Sequence, residues 1–140
     1  MRECGSIWKK GGVIFMSAYR PLDIAVDFDG TIFHCAWPKV GRLKFGAKWV
    51  LKQWGKTHTL ILWTCREGAG LEQAKDALRE HGLLHLFSHF NESPPHLVEL
   101  FKNDSRKIGF DIQIDDKASY IFWPYQYLRI MWKAWRVNHG

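Results

Sequence analysis

Two apolar runs far apart in the chain each end in a pair of carboxylates, and this repetition constrains the fold more than any other feature. The first is Asp23-Ile24-Ala25-Val26-Asp27-Phe28-Asp29-Gly30-Thr31; the second is Lys107-Ile108-Gly109-Phe110-Asp111-Ile112-Gln113-Ile114-Asp115-Asp116. Short runs rich in β-branched and aromatic residues, stopped by glycine, read as buried strands. A third run, Thr59-Leu60-Ile61-Leu62-Trp63-Thr64, ends in a hydroxyl instead, suited to donating a hydrogen bond to an anionic ligand. In open parallel sheets, ligands bind outside the carboxyl ends of the strands, where the winding direction reverses. Both acidic pairs are expected to meet there.

The intervening sequence supplies helices. Ala47, Val50, Leu51 and Trp54 repeat with helical spacing, so a helix is expected over 44–54 with Gly55 ending it. Leu71, Ala74 and Leu78 mark a second helix stopped by Gly82. Leu83 to Phe87 reads as a short third strand. Ser93 before Pro94 and Pro95 reads as the N-cap of a short third helix carrying Leu97 and Val98. A fourth strand over 109–115 follows. Residues 33–43, with Pro38 and Gly41, suit a loop or small flap. Strands alternating with helices predict an α/β fold, a three-layer, doubly wound parallel sheet.

At 140 residues and 46% hydrophobic, the chain suits one domain that buries its core without disulfides. Residues 1–19 are expected to form a peripheral or disordered extension, and 20–140 the single folded domain. No run of about 18 apolar residues is present, so nothing spans a membrane and no membrane partner is expected. Cys4, Cys35 and Cys65 are odd in number and lack a C-x-x-C spacing, which favours reduced thiols and a cytoplasmic setting. The net charge of +6 is concentrated at the ends. Four cations against one acid fall in residues 1–20 and three against none in 121–140, leaving 13 of each between. Such an excess does not mark a nucleic-acid face, which needs cations along one binding surface. The aromatic residues Trp123, Tyr125, Tyr127, Trp132 and Trp135 among basic ones suit a packed terminal helix or a subunit contact, and thus a homo-oligomer; an aromatic and basic platform for bases is the sharper alternative.

Two acids one residue apart resist ionising together unless a cation or proton intervenes, so Asp27 and Asp29 predict a divalent metal and two different protonation roles. The ordered set resembles the haloacid dehalogenase-like (HAD) phosphohydrolase superfamily, whose first motif is a strand ending in D-x-D-G-T. Here that motif is Asp27-Phe28-Asp29-Gly30-Thr31; Thr64 matches the second motif's hydroxyl, Lys107 the third motif's lysine, with Lys102 and Arg106 as competitors, and Asp115-Asp116 the acidic fourth. The resemblance covers residues 23 to about 122.

It implies that Asp27 attacks phosphorus to form an aspartyl-phosphate that water hydrolyses, and that Asp29 serves as general acid and base. It implies Mg²⁺ held by Asp27, the Asp29 backbone carbonyl and Asp115 or Asp116, with Thr64 and Lys107 on the phosphoryl oxygens. Gly30, Thr31 and Arg66 are expected at the substrate, Arg66 alternatively paired with Glu67 or another acid. The implied substrate is a phosphorylated small molecule or macromolecule, a nucleotide or nucleic-acid phosphate being one alternative and a non-catalytic phosphate-binding protein another.

Only 32 residues separate Thr31 from Thr64 and 42 separate Thr64 from Lys107, leaving no room for a cap domain of ~50 residues. The site is expected to be open. Receiver domains use the same residue types in another order, with the acidic pair early and the phosphoacceptor in mid-chain, which this chain does not follow.

Overall fold

The computed structural model describes residues 9–10, 13–14, 20–102 and 109–140. Strands β1 (Lys9–Lys10) and β2 (Val13–Ile14) pair antiparallel; the rest of residues 1–19 lies outside the described residues. The body of the protein is a four-stranded parallel sheet of β3 (Asp23–Val26), β6 (Thr59–Leu62), β7 (Phe87–Phe90) and β8 (Ile112–Ile114), in the order β7-β6-β3-β8. Between β3 and β6 lie the antiparallel hairpin β4 (Phe33–Ala36) and β5 (Lys39–Leu43), then α1 (Ala47–Thr57). Helix α2 (Gly68–Glu80) joins β6 to β7, α3 (Pro95–Phe101) leads toward β8, and α4 (Trp123–His139) closes the chain. The chain winds outward from β3 through β6 to β7, then crosses back to place β8 on the other side of β3. The winding therefore reverses between β3 and β8, the location favoured for ligands in sheets of this kind.

Strand alternation divides the core. Ile24, Val26, Leu60, Leu62, Ile112 and Ile114 pack in one cluster with Ala47, Val50, Leu51 and Trp54 of α1, Ala74 and Leu78 of α2, and Trp123, Ile130 and Ala134 of α4. The intervening Ala25 and Ile61 are equally buried but outside that cluster, as a period of two requires. Leu97 of α3, on the connection from β7 to β8, is buried but likewise outside that cluster. The result is the expected three-layer, Rossmann-like architecture, with no cap domain among the described residues.

Several local expectations shift. Helix α1 runs through Gly55 to Thr57. A Cβ at Gly55 would stand 2.7 Å from the Leu86 side chain, so this glycine admits a close contact rather than ending the helix. Residues Leu84–Leu86 form a 3₁₀ turn, and the third strand starts at Phe87. Ser93 does not cap α3; its Oγ accepts the Gly109 N–H at 3.2 Å. The expected flap is the β4–β5 hairpin.

Candidate functional site

Register brings the strand tips together. Val26 pairs with Ile114 on one side and Leu62 on the other, and the Asp27 N–H donates to the Ile114 carbonyl at 2.9 Å. Asp27 and Asp115 thus leave adjacent strands at the same level, with Asp116 following. One carboxylate oxygen from each of Asp27, Asp115 and Asp116 lies within 4.8 Å of the others. Asp27 and Asp115 are half-buried and Asp116 is exposed, so the cluster opens to solvent. Among the described residues none of the three forms a salt bridge.

The turn after β3 is built to hold this cluster. Gly30 has φ of 79°, a backbone conformation that favours glycine, and a Cβ there would press on the Asp116 carboxylate. Thr31 is fully buried: its hydroxyl donates to Asp27 Oδ2 at 3.5 Å and accepts the Asp116 N–H at 3.0 Å. Its carbonyl accepts the Trp123 indole N–H at 3.2 Å, and Lys44 Nζ donates to the Gly30 carbonyl. Gly30 and Thr31, expected at the substrate, instead fix the distance between the two acidic tips. Asp115 accepts from Gln113 Nε2 at 2.8 Å and from the Lys117 N–H at 2.9 Å.

Burial pushes the Asp27 carboxyl up to about 7; the Phe28 backbone hydrogen bond opposes this, and the charges of Asp115, Asp116 and Asp29 add to it. Three crowded oxygen donors, with no ion pair among the described residues, are a hard ligand set of the kind Mg²⁺ takes. Octahedral bonds near ~2.1 Å would set neighbouring donors ~3 Å apart, so the three carboxylates would have to close in around the ion.

Asp29 stands apart from the cluster. Its carboxylate is bound in both oxygens by Arg66, from Nε at 2.7 Å and Nη2 at 2.8 Å. Arg66 is 1% exposed; its remaining donors reach the Pro38 carbonyl at 3.1 Å and the Lys39 carbonyl at 2.9 Å, and its guanidinium lies over Phe28 and Trp37. The expectation that Arg66 contacts substrate is revised, because its donors are spent on Asp29 and on the tip of the β4–β5 hairpin. Of the two pairings foreseen for it, the partner is Asp29 rather than Glu67. Asp29 likewise presents no free carboxylate to the cluster.

Thr64 is 8% exposed, two residues beyond β6. Its hydroxyl accepts the Arg66 N–H at 3.2 Å, which leaves its proton available to a ligand. Asn91, with φ of 52°, clamps this loop: its Oδ1 accepts the Thr64 N–H at 2.8 Å and its Nδ2 donates to the Arg66 carbonyl at 3.2 Å. Sequence reasoning missed Asn91, whose only signal was an asparagine just past a strand, a residue type that tolerates the left-handed region. Lys107 and Arg106 lie outside the described residues. Lys102, the other competitor, ends α3 in a left-handed conformation.

No family model matches the chain, and no curated protein matches its sequence. Among solved structures it is similar to a conserved protein coded by a locus of Bacteroides thetaiotaomicron, with 36% identity and a TM-score of 0.71, over 81% of this chain and 93% of that one. The chain belongs to the same family as that protein.

Proposed function

We propose that the chain is a Mg²⁺-dependent phosphomonoester hydrolase of the HAD-like kind, working through an aspartyl-phosphate on Asp27. One observation carries the reading: the carboxylates of Asp27, Asp115 and Asp116 converge within 4.8 Å, with no ion pair to a described cation. Bound Mg²⁺ would supply charge neutralisation between these acids and the phosphoryl group. Asp27 attacks phosphorus as its bond to the ester oxygen breaks; water then displaces Asp27 and releases phosphate. The nucleophile must be ionised, so a carboxyl that titrates near 7 ties reactivity to cation binding. Thr64 donates to a phosphoryl oxygen, and Lys107, assigned from sequence, adds a second positive contact. Asp29 is the proton donor to the leaving oxygen and acceptor from water, a role that requires its pair with Arg66 to open. The uncapped acids favour phosphate esters that are themselves large. The free thiols of Cys35 and Cys65 are in keeping with a cytoplasmic protein.

The Asp29–Arg66 pair favours a second reading, phosphate binding without turnover, because a carboxylate held in both oxygens by arginine cannot pass a proton. Release of inorganic phosphate from an aryl phosphate with Mg²⁺ separates the two. The hydrolase reading expects turnover that Asp27→Asn lowers by about 10⁴-fold or more. Equal turnover by the variant removes Asp27 as nucleophile, and phosphate binding with no turnover by the wild type supports the second reading.

A further inference from the structure

The face of α4 turned away from the sheet is apolar where a solvated helix is ordinarily polar. At about 100° per residue the helix divides into three arcs. Trp123, Gln126, Ile130 and Ala134 are buried against the core. Tyr125, Leu128, Met131, Trp132 and Trp135 occupy a second arc of roughly 120°. All five are 50–62% exposed. Arg129, Lys133 and Arg136 line one edge of it, and α4 contains no acidic residue. The apolar surface continues onto α1, where Trp49, itself 56% exposed, meets Tyr127 edge-on with ring centroids 5.0 Å apart. Contiguous exposed apolar surface of this kind marks a binding face rather than scattered surface residues.

Charge and shape select what covers it. Apposing the α4 helices of two copies would gather six cations with no acid between them, which is unfavourable. Single-stranded nucleic acid needs free aromatic faces along a groove that tracks the backbone. Here Leu128 and Met131 interrupt the aromatics, the Arg136 guanidinium already lies 4.8 Å over Trp132, and a helix surface is convex. The interfacial layer of an anionic bilayer takes aliphatic and aromatic side chains alike and attracts arginine and lysine at the rim.

We propose that α4 docks the protein onto membrane surfaces containing anionic lipid, with the five apolar side chains in the interfacial layer and Arg129, Lys133 and Arg136 at the headgroups. No described helix is long and apolar enough to cross a membrane, so the docking is peripheral. The lack of a long apolar run bears on spanning segments alone. The inference is independent of hydrolysis at the acid cluster.

The test is co-sedimentation of the full chain with vesicles of phosphatidylcholine, with and without phosphatidylglycerol. Partitioning is expected onto the anionic vesicles, weakening as salt rises. The double variant Trp132→Ala/Trp135→Ala is expected to bind roughly tenfold more weakly or worse. Each of Arg129→Gln, Lys133→Gln and Arg136→Gln is expected to lose roughly fivefold. Unchanged thermal melts in these variants establish that folding is intact. Absence of partitioning at low salt, or partitioning that no variant alters, overturns the proposal. So does a tryptophan-dependent dimer, or salt-sensitive oligonucleotide binding, in place of vesicle binding, since either gives the face to another occupant.

Discussion

The two ends of β3 carry acids in opposite states of compensation. At its start, Asp23 is 4% exposed and accepts from His96 Nε2 at 2.9 Å, while Asp111 is held by both terminal nitrogens of Arg20, at 3.0 and 2.7 Å, and accepts the Asp23 N–H. Each carboxylate there has a side-chain hydrogen-bond partner. At its end, Asp27, Asp115 and Asp116 crowd together without an ion pair among the described residues, and only Asp29 is neutralised, by Arg66. Converging acids with no described cation beside them are what the proposed Mg²⁺ would offset. The first end is closed by its own protein partners; the second is where the proposed function seats its ligand. Four predictions probe that contrast, from the largest effect to the smallest.

The two arginine pairs separate by burial. Arg66→Met leaves Asp29 uncompensated beneath the hairpin and is expected to cost about 3–5 kcal/mol, read as a lowered denaturant midpoint. Arg66→Lys should rescue little, because lysine cannot bind both oxygens. A melt within a degree of wild type would mean the pair is not a structural tie.

Opposite pH responses are expected at the two ends. Asp27 is raised from 3.8 to about 7, so its neutral form favours the fold; this contribution is full below 3.8 and is lost as pH rises through 7. The loss is on the order of 4 kcal/mol at most without a cation. Mg²⁺ should restore stability at the upper end of that window, and Asp27→Asn should flatten the slope in chelator. His58, beside the start of β3, is lowered from 6.5 by burial, against the pull of Asp111, and its Nδ1 accepts the Leu22 N–H at 3.1 Å. Its neutral form favours the fold, so that contribution is present above 6.5 and lost as pH falls. Thermal melts across pH in chelator, repeated for His58→Asn, separate the two slopes.

Thr31→Val keeps the shape but removes the bridge between Asp27 and the Asp116 N–H. About 1–3 kcal/mol of stability should go, with weaker Mg²⁺ binding, both measurable by thermal shift with and without the ion. Arg20→Ala, at a position 31% exposed, should cost about 1 kcal/mol or less and leave Mg²⁺ binding unchanged. A larger loss of ion binding from Arg20→Ala than from Thr31→Val would erase the distinction between the ends.

What could be read from residues alone follows physical range. The runs ending in Asp27, Thr64 and Asp115 were legible because burial on both faces writes a continuous apolar signature into each strand and stops it with a turn. The parallel sheet and its switch point followed from their alternation with helical spacing. The fate of Arg66 was not legible, since nothing beside it in sequence reveals that the hairpin tip at Pro38 and Lys39 folds over it. Gly55 misled because glycine serves both to end helices and to admit a close neighbour, here Leu86, and only tertiary packing decides between them. The exposed stripe of α4 was visible as aromatics at helical spacing, but two interleaved apolar arcs become distinct only once one is packed on the core.

The most direct test of the central claim is calorimetric titration of Mg²⁺ into the full chain near neutral pH. One site per chain is predicted, lost in Asp27→Asn and in Asp115→Asn and kept in Arg20→Ala. Absence of binding by the wild type, or binding that survives both aspartate substitutions, would contradict the account.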